Sequence, residues 1–299
     1  MKLDSTFIFV LIAVMIPPLI LLAALTWDRR QRKLTEKSPQ SEKLLRPPGY
    51  SLAIRLDETF DSVIERLLIA SILSAFAFSG MVTLAGLFGA NAPAKYSIVC
   101  LVATAPFLVG CIWATLWAFL TFKKAQNMKL GLRGEQAVAE SLNEAASSGF
   151  RAFHDLQTDQ VGNIDHVAVG TRGVFLIESK ARRKRGGNKG QAAHEVLYDG
   201  ECLQFPHHRD TETIDQAKRN AVWLSNYLRE ATGDPVEVFP LVVLPGWFVK
   251  TVARGSLRVN VMAANYLPGY LSRESEKIQA DKMRRILFAL DKKCRDVEF

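Results

Sequence analysis

The stretch Asn163-Ile164-Asp165-His166-Val167-Ala168-Val169-Gly170-Thr171-Arg172-Gly173-Val174-Phe175-Leu176-Ile177-Glu178-Ser179-Lys180 decides how the polar half of this chain folds. Two apolar runs flank Gly170-Thr171-Arg172-Gly173, a pattern that predicts a β-hairpin. With Thr171 and Arg172 as the turn, Gly170 faces Gly173, and the same register sets Asp165 opposite Glu178. Side chains alternate along a strand, so Glu178 and Lys180 share a face. Directly opposed side chains have Cβ atoms about 4.5–5.5 Å apart, and like charges so placed repel. Two carboxylates there, with an ammonium beside them, point to a hard divalent cation next to a catalytic lysine.

Outward from the hairpin, the pattern predicts a consistent order of elements. A helix is expected over 134–146, with Val138 and Leu142 on one face, then a strand over 150–156. Runs 196–198 and 202–205, joined through Asp199-Gly200, make a second hairpin. A helix over 213–230 carries Ala217, Ala221, Leu224 and Leu228 as its apolar stripe, and residues 236–244 form a β run closed by Pro245-Gly246. A strand near 258–262 and a helix around 276–292 complete the chain. Helix, three strands, helix, strand is an order compatible with a mixed sheet flanked by helices.

Gly134-Glu135, Ile164-Asp165-His166, Glu178-Ser179-Lys180, and Gln216 with Asn220 resemble the nuclease-related domain (NERD) family over roughly residues 129–245. That family lies within the PD-(D/E)XK restriction-endonuclease-like superfamily. The resemblance implies a magnesium-dependent phosphodiesterase site, with manganese as a substitute. Asp165 and Glu178 would be its metal ligands and Lys180 its catalytic lysine. Glu135 and Gln216 would complete it from two helices. Ile164 stands where the superfamily's proline would be, and residues 207–215, just before Gln216, are unusually charged.

Each residue also has a plainer reading. Glu135 lies in a first helical turn, where a carboxylate suits the macrodipole anyway. Gln216 and Asn220 are one turn apart on one face; Gln216 is taken as a contact to phosphate or to Lys180, and Asn220 as part of a polar helix surface. His166 points to the other face of its strand and is expected to pack or hydrogen-bond. His194, His207 and His208 lack a second cluster at ligand spacing. Beyond Lys180, a loop containing Arg182, Arg183, Lys184, Arg185 and Lys189 with Gly186, Gly187 and Gly190 offers cations to phosphate. A solvated loop, or one touching anionic lipid, is the competing reading.

The 299 residues carry a net charge of +8, which suits a nucleic-acid or anionic-membrane partner. The four cysteines show no ligand spacing, which argues against a zinc ribbon or disulfide framework. Segments 5–27, 67–94 and 96–122 contain no charged residue, and each exceeds the roughly 20 apolar residues a membrane helix needs. The first contains Pro17-Pro18, where a kink is expected. It is long for a signal peptide and is followed by Arg29, Arg30, Arg32 and Lys33, so it reads as a retained anchor. Those cations, with Lys123, Lys124 and Lys129 against the single Lys95, place the N-terminus outside and everything after residue 122 inside. Residues 52–66 form either an amphipathic surface helix or an early start of the second span. With no ionisable residue inside a span, transport has little support.

The expected architecture is therefore an α/β, restriction-endonuclease-like mixed sheet flanked by helices and preceded by three transmembrane helices. Its parts are a first helix (1–27), a cytosolic basic linker (28–66), a transmembrane hairpin (67–122) and a cytosolic nuclease-like domain (123–299). The expected activity is metal-dependent hydrolysis of nucleic acid, DNA ahead of RNA, at a bacterial inner (plasma) membrane. The alternatives are a non-catalytic nucleic-acid tether and a membrane structural or interaction protein.

Overall fold

The computed structural model describes residues 16, 20, 21, 23, 24, 27, 28, 31, 42–88, 94–159, 162–184, 192–253 and 255–297. Most of the first expected membrane segment lies outside these residues, and so do Arg185 and Lys189. The chain divides into two units, one holding 1–37 and 55–127, the other 38–54 and 128–299.

In the second unit the hairpin forms in the expected register. Strands β3 (Ile164–Gly170) and β4 (Gly173–Ser179) pair from His166↔Ile177 to Gly170↔Gly173. A Cβ at Gly170 would lie 2.9 Å from the Phe150 ring, so that end of the strand requires glycine. Strand β2 (Arg151–Leu156) joins β3 antiparallel, while β8 (Val238–Val243) and β10 (Asn260–Met262) extend the sheet parallel to β4. The order is β10-β8-β4-β3-β2. Helices cover both faces, which explains why β4 is apolar along almost its whole length.

On one face Val167, Val169, Val174 and Leu176 pack with Ala221, Leu224 and Leu228 of α3 (Glu212–Thr232) and Ile286 and Leu290 of α5 (Ala280–Cys294). On the other, Ala168, Phe175, Ile177 and Leu241 meet Val138 and Leu142 of α2 (Ala94–Ala145) and Leu267 and Leu271 of α4 (Leu267–Arg273). The second expected hairpin exists as β5 (Glu195–Tyr198) and β6 (Leu203–Phe205), but in a separate sheet with β7 (His208–Asp210) and β9 (Phe248–Thr251), ordered β7-β6-β5-β9. Part of the stretch read as linker also belongs to this unit: β1 (Leu44–Leu45) pairs antiparallel with β11 (Arg295–Val297).

Among the described residues two helices, not three, are long and apolar enough to cross a membrane, over Tyr50–Thr83 and Leu101–Ser148. Helix α1 (Tyr50–Phe88) begins well before the apolar segment, so 52–66 is its opening rather than a separate surface helix. The helix expected over 134–146 is the end of the 52-residue α2. Nothing between 122 and 134 breaks a helix strongly: Gly131 and Gly134 are tolerated, and the only proline inside α2 is Pro106. In the first unit, Phe60 meets Phe122, Leu73 approaches Gly110, and Phe76 stacks on Phe107. Partners descend α2 as they ascend α1, so the helices pair antiparallel. Only 22% and 17% of their most apolar windows are buried. A soluble core helix would bury most of that surface.

Candidate active site

Asp165 and Glu178 stand where the hairpin's register sets them, one step beyond His166↔Ile177. Ser179 donates both its backbone N–H (2.8 Å) and its hydroxyl (2.9 Å) to Asp165 Oδ2. Glu178 is buried under α3: Gln216 Nε2 donates to its Oε2 at 3.0 Å and Asn220 Nδ2 to its Oε1. Both amides therefore belong to the site. Asn220, set aside in the sequence reading, is buried with its amide on Glu178, because α3 lies over this face and both residues of its polar stripe project onto the carboxylate.

Electrostatics follow from this packing. Burial pushes the Asp165 carboxyl up to about 6, against the Ser179 hydrogen bonds and the charge of Lys180, and the Asp155 charge adds to the rise. Glu178 is held well above the usual carboxylate range, first by burial and then by the charge of Asp165; Asn220 and Lys180 oppose the rise. Lys180 follows β4 directly, and its N–H donates to Val243 O at 3.0 Å, so the β4/β8 ladder fixes its backbone. Glu135 is half-buried on α2; its charge is the last and weakest of those raising Glu178.

Asp155 joins the neighbourhood without any sequence signal. It lies between the pairs His154↔His166 and Leu156↔Ile164, hence beside Asp165 across β2 and β3. Its φ is +51°, rare outside glycine. Its Oδ2 accepts Ser51 N–H (2.9 Å) and hydroxyl (2.5 Å) and pairs with Arg46 at 3.4 Å, and its Oδ1 accepts Asn163 Nδ2 at 3.0 Å. That carboxylate is committed to structure. On the opposite face His154 and His166 share a 2.8 Å Nδ1–Nδ1 hydrogen bond. Burial lowers His154 to about 4 and His166 well below its ordinary value, so His166 packs and bonds as expected.

The basic loop is less uniform than its composition. Arg182 pairs with Asp210, lies over the Phe205 ring at 5.3 Å, and its carbonyl accepts from Trp247 Nε1 at 3.3 Å. Its guanidinium links the second sheet to the start of α3. Arg183 and Lys184 are exposed. The site's donor set is therefore two carboxylates, one lysine and two amides. Among the described residues no three His, Cys, Asp or Glu side chains converge as a metal cage. A buried and a half-buried carboxylate that repel each other nevertheless suit magnesium, which takes one or two carboxylates and fills its remaining positions with water and phosphate.

Residues 130–245 match the family model of the nuclease-related domain, NERD, whose placement in the PD-(D/E)XK superfamily agrees with the helix–strand order above. No curated protein and no solved structure matches the chain.

Proposed function

We propose that the nuclease-related domain at residues 130–245 is a metal-dependent phosphodiesterase acting on nucleic acid, anchored to a membrane by helices that precede it. The supporting observation is the Asp165–Glu178 pair, both carboxyls raised by burial, with Lys180 opposing the rise. Such a pair is destabilising until a cation neutralises it, and perturbed carboxylates of this kind cluster at functional sites.

Magnesium, or manganese in its place, would be held by Asp165 and Glu178; when bound it polarises a phosphoryl oxygen and lowers the pKa of a water. Gln216 and Asn220 fix the Glu178 carboxylate, and each of its oxygens keeps a second lone pair for the cation. Ser179 orients Asp165 in the same way. Lys180, sharing a face with Glu178, would orient the attacking water or offset charge building on the phosphoryl group. Glu135 would supply negative charge at the margin. Arg183 and Lys184, with Arg185 and Lys189 beyond the described residues, would attract phosphates, with DNA ahead of RNA as substrate.

The membrane reading draws support from the low burial of α1 and α2 and from Lys123 and Lys124 at the end of the second apolar stretch. By the distribution of cations, the domain would face the cytosol at an inner (plasma) membrane. One observation favours a non-catalytic nucleic-acid tether instead: both Glu178 oxygens already accept amide donors.

The test is cleavage of labelled DNA and RNA by the full-length chain in detergent, with Mg²⁺, Mn²⁺ or chelator. Asp165→Ala and Lys180→Ala should each reduce a metal-dependent rate by about a hundredfold or more. Salt-sensitive binding with no cleavage by the wild type would establish the tether. Cleavage that survives Asp165→Ala would remove this site from consideration.

A further inference from the structure

The first unit holds a cavity that catalysis does not use. It is about 420 Å³, lined by Glu58, Thr59, Ser62 and Arg66 of α1 and by Trp117, Leu120, Thr121 and Lys124 of α2. Thr59, Ser62 and Arg66 recur at helical spacing, as do Trp117, Leu120 and Lys124, so two facing helical stripes flank an open groove. Its height is set by the sequence. The charge-free stretch of α1 starts at Leu67 and that of α2 ends at Phe122. In the antiparallel pair Arg66 lies level with Trp117 and Phe122 with Phe60, so Arg66 and Lys124 edge the apolar stretches from the same end, with Arg66 about one and a half turns deeper.

The arginine is prepared for an anion. The guanidinium of Arg66 stacks over the Trp117 ring at 4.3 Å and donates to Thr121 Oγ1 at 2.7 Å. Thr121 in turn donates to Trp117 O at 2.8 Å, which fixes the acceptor. Stacking and a single bond orient the group while leaving other N–H donors of its fork for a ligand. Lys124 adds a second cation and Ser62 a hydroxyl, while Thr59 donates to Arg55 O at 2.6 Å. Glu58, two turns from Arg66 on the polar side, suits the hydroxyls of a headgroup rather than its phosphate.

We propose that this cavity binds the phosphate and headgroup of an anionic glycerophospholipid, with Arg66 and Lys124 on the phosphate and the acyl chains lying along the exposed apolar side chains below. A lipid phosphate resides at this boundary between hydrocarbon and water, where basic pockets between helices select anionic headgroups. The inference rests on the membrane-spanning reading of α1 and α2 and is independent of nuclease activity.

The experiment uses the full-length chain in a non-ionic detergent, incubated with equimolar phosphatidylglycerol and phosphatidylcholine, the retained lipid being counted by native mass spectrometry. The wild type should retain phosphatidylglycerol in preference. Arg66→Gln combined with Lys124→Gln should lower the ratio of the two lipids roughly tenfold, at unchanged helix content. Arg66→Lys should keep most of the preference, and so should Lys123→Gln, since Lys123 lies over the Phe119 ring at 4.6 Å and does not line the cavity. Equal retention of both lipids by the wild type, or an unchanged ratio in the double variant, would overturn the proposal. So would inorganic phosphate displacing the lipid at millimolar concentration. Flotation with phosphatidylcholine vesicles after an alkaline wash separates the two failures. A chain that leaves the vesicles refutes the membrane reading and the site with it, whereas one that stays without lipid preference refutes the site alone.

Discussion

Asp165 lowers the stability of the fold at neutral pH, because burial disfavours its charged form. Its folded pKa of about 6 lies above the ordinary value of 3.8, so the folded chain binds more protons than the unfolded one between those limits. This contribution is complete below the ordinary value and disappears as pH rises through about 6. Asp165→Asn removes the charge while keeping an oxygen for the Ser179 donors. In chelator at pH 7.5 it should raise stability by about 1–3 kcal/mol and flatten the pH dependence of thermal unfolding between pH 4 and 7. A variant that melts lower than the wild type under those conditions would show that the carboxylate is not strained. Asp165, Glu178 and Lys180 were legible in the sequence because a hairpin register is short-range information. Asn220 was not, because a polar residue on an amphipathic helix has no visible partner until the helix is laid on the sheet. Asp155 was least legible, since Arg46, its buried counter-ion, is 109 residues away.

The start of α3 is the element on which the candidate site depends most, because that helix carries Gln216 and Asn220. Asp210 accepts Thr213 N–H and hydroxyl, both at 3.0 Å, and pairs with Arg182. Burial alone would raise its carboxyl, but the bonds from Thr213 and Arg182 outweigh that and hold it below its ordinary value. The stabilisation is therefore present above the ordinary carboxylate pKa and is lost as pH falls through the lower folded value. Asp210→Asn leaves the Arg182 guanidinium without its counter-charge and should cost about 1–3 kcal/mol in denaturant unfolding at pH 7. Rates should then fall through a loosened Glu178 carboxylate, with the salt dependence of nucleic-acid binding unchanged. The composition of the basic loop concealed this role: five cations within 182–189 suggest a loop offered to phosphate, whereas tertiary packing also pairs Arg182 with an aspartate 28 residues on.

At the scale of the molecule, the second unit is closed by residues far upstream of its sheet. Arg46, 6% exposed, bonds Asp155 O at 2.9 Å and pairs with Asp296, while β1 pairs with β11. A fragment of residues 128–299 would bury Asp155 without Arg46 or Ser51. It should unfold about 3 kcal/mol more easily than the unit with its strap, and a peptide of residues 38–54 added in trans should recover much of the difference in thermal melts. Equal stability with and without the peptide would show that the strap is dispensable. The sequence by itself determined the hairpin, its register, the carboxylate pair with its lysine, and the apolar character of the two helices. Each is a local pattern of alternation, turn chemistry or hydropathy, read within a few tens of residues. Only the tertiary structure decided that α2 continues unbroken into the expected first helix of the domain, that Asn220 joins Gln216 on Glu178, that Arg182 is a brace, and that the 44–51 segment is part of the fold. Those outcomes depend on which groups burial brings together, and a buried charge or amide is satisfied by whatever partner the packing supplies, at any separation along the chain.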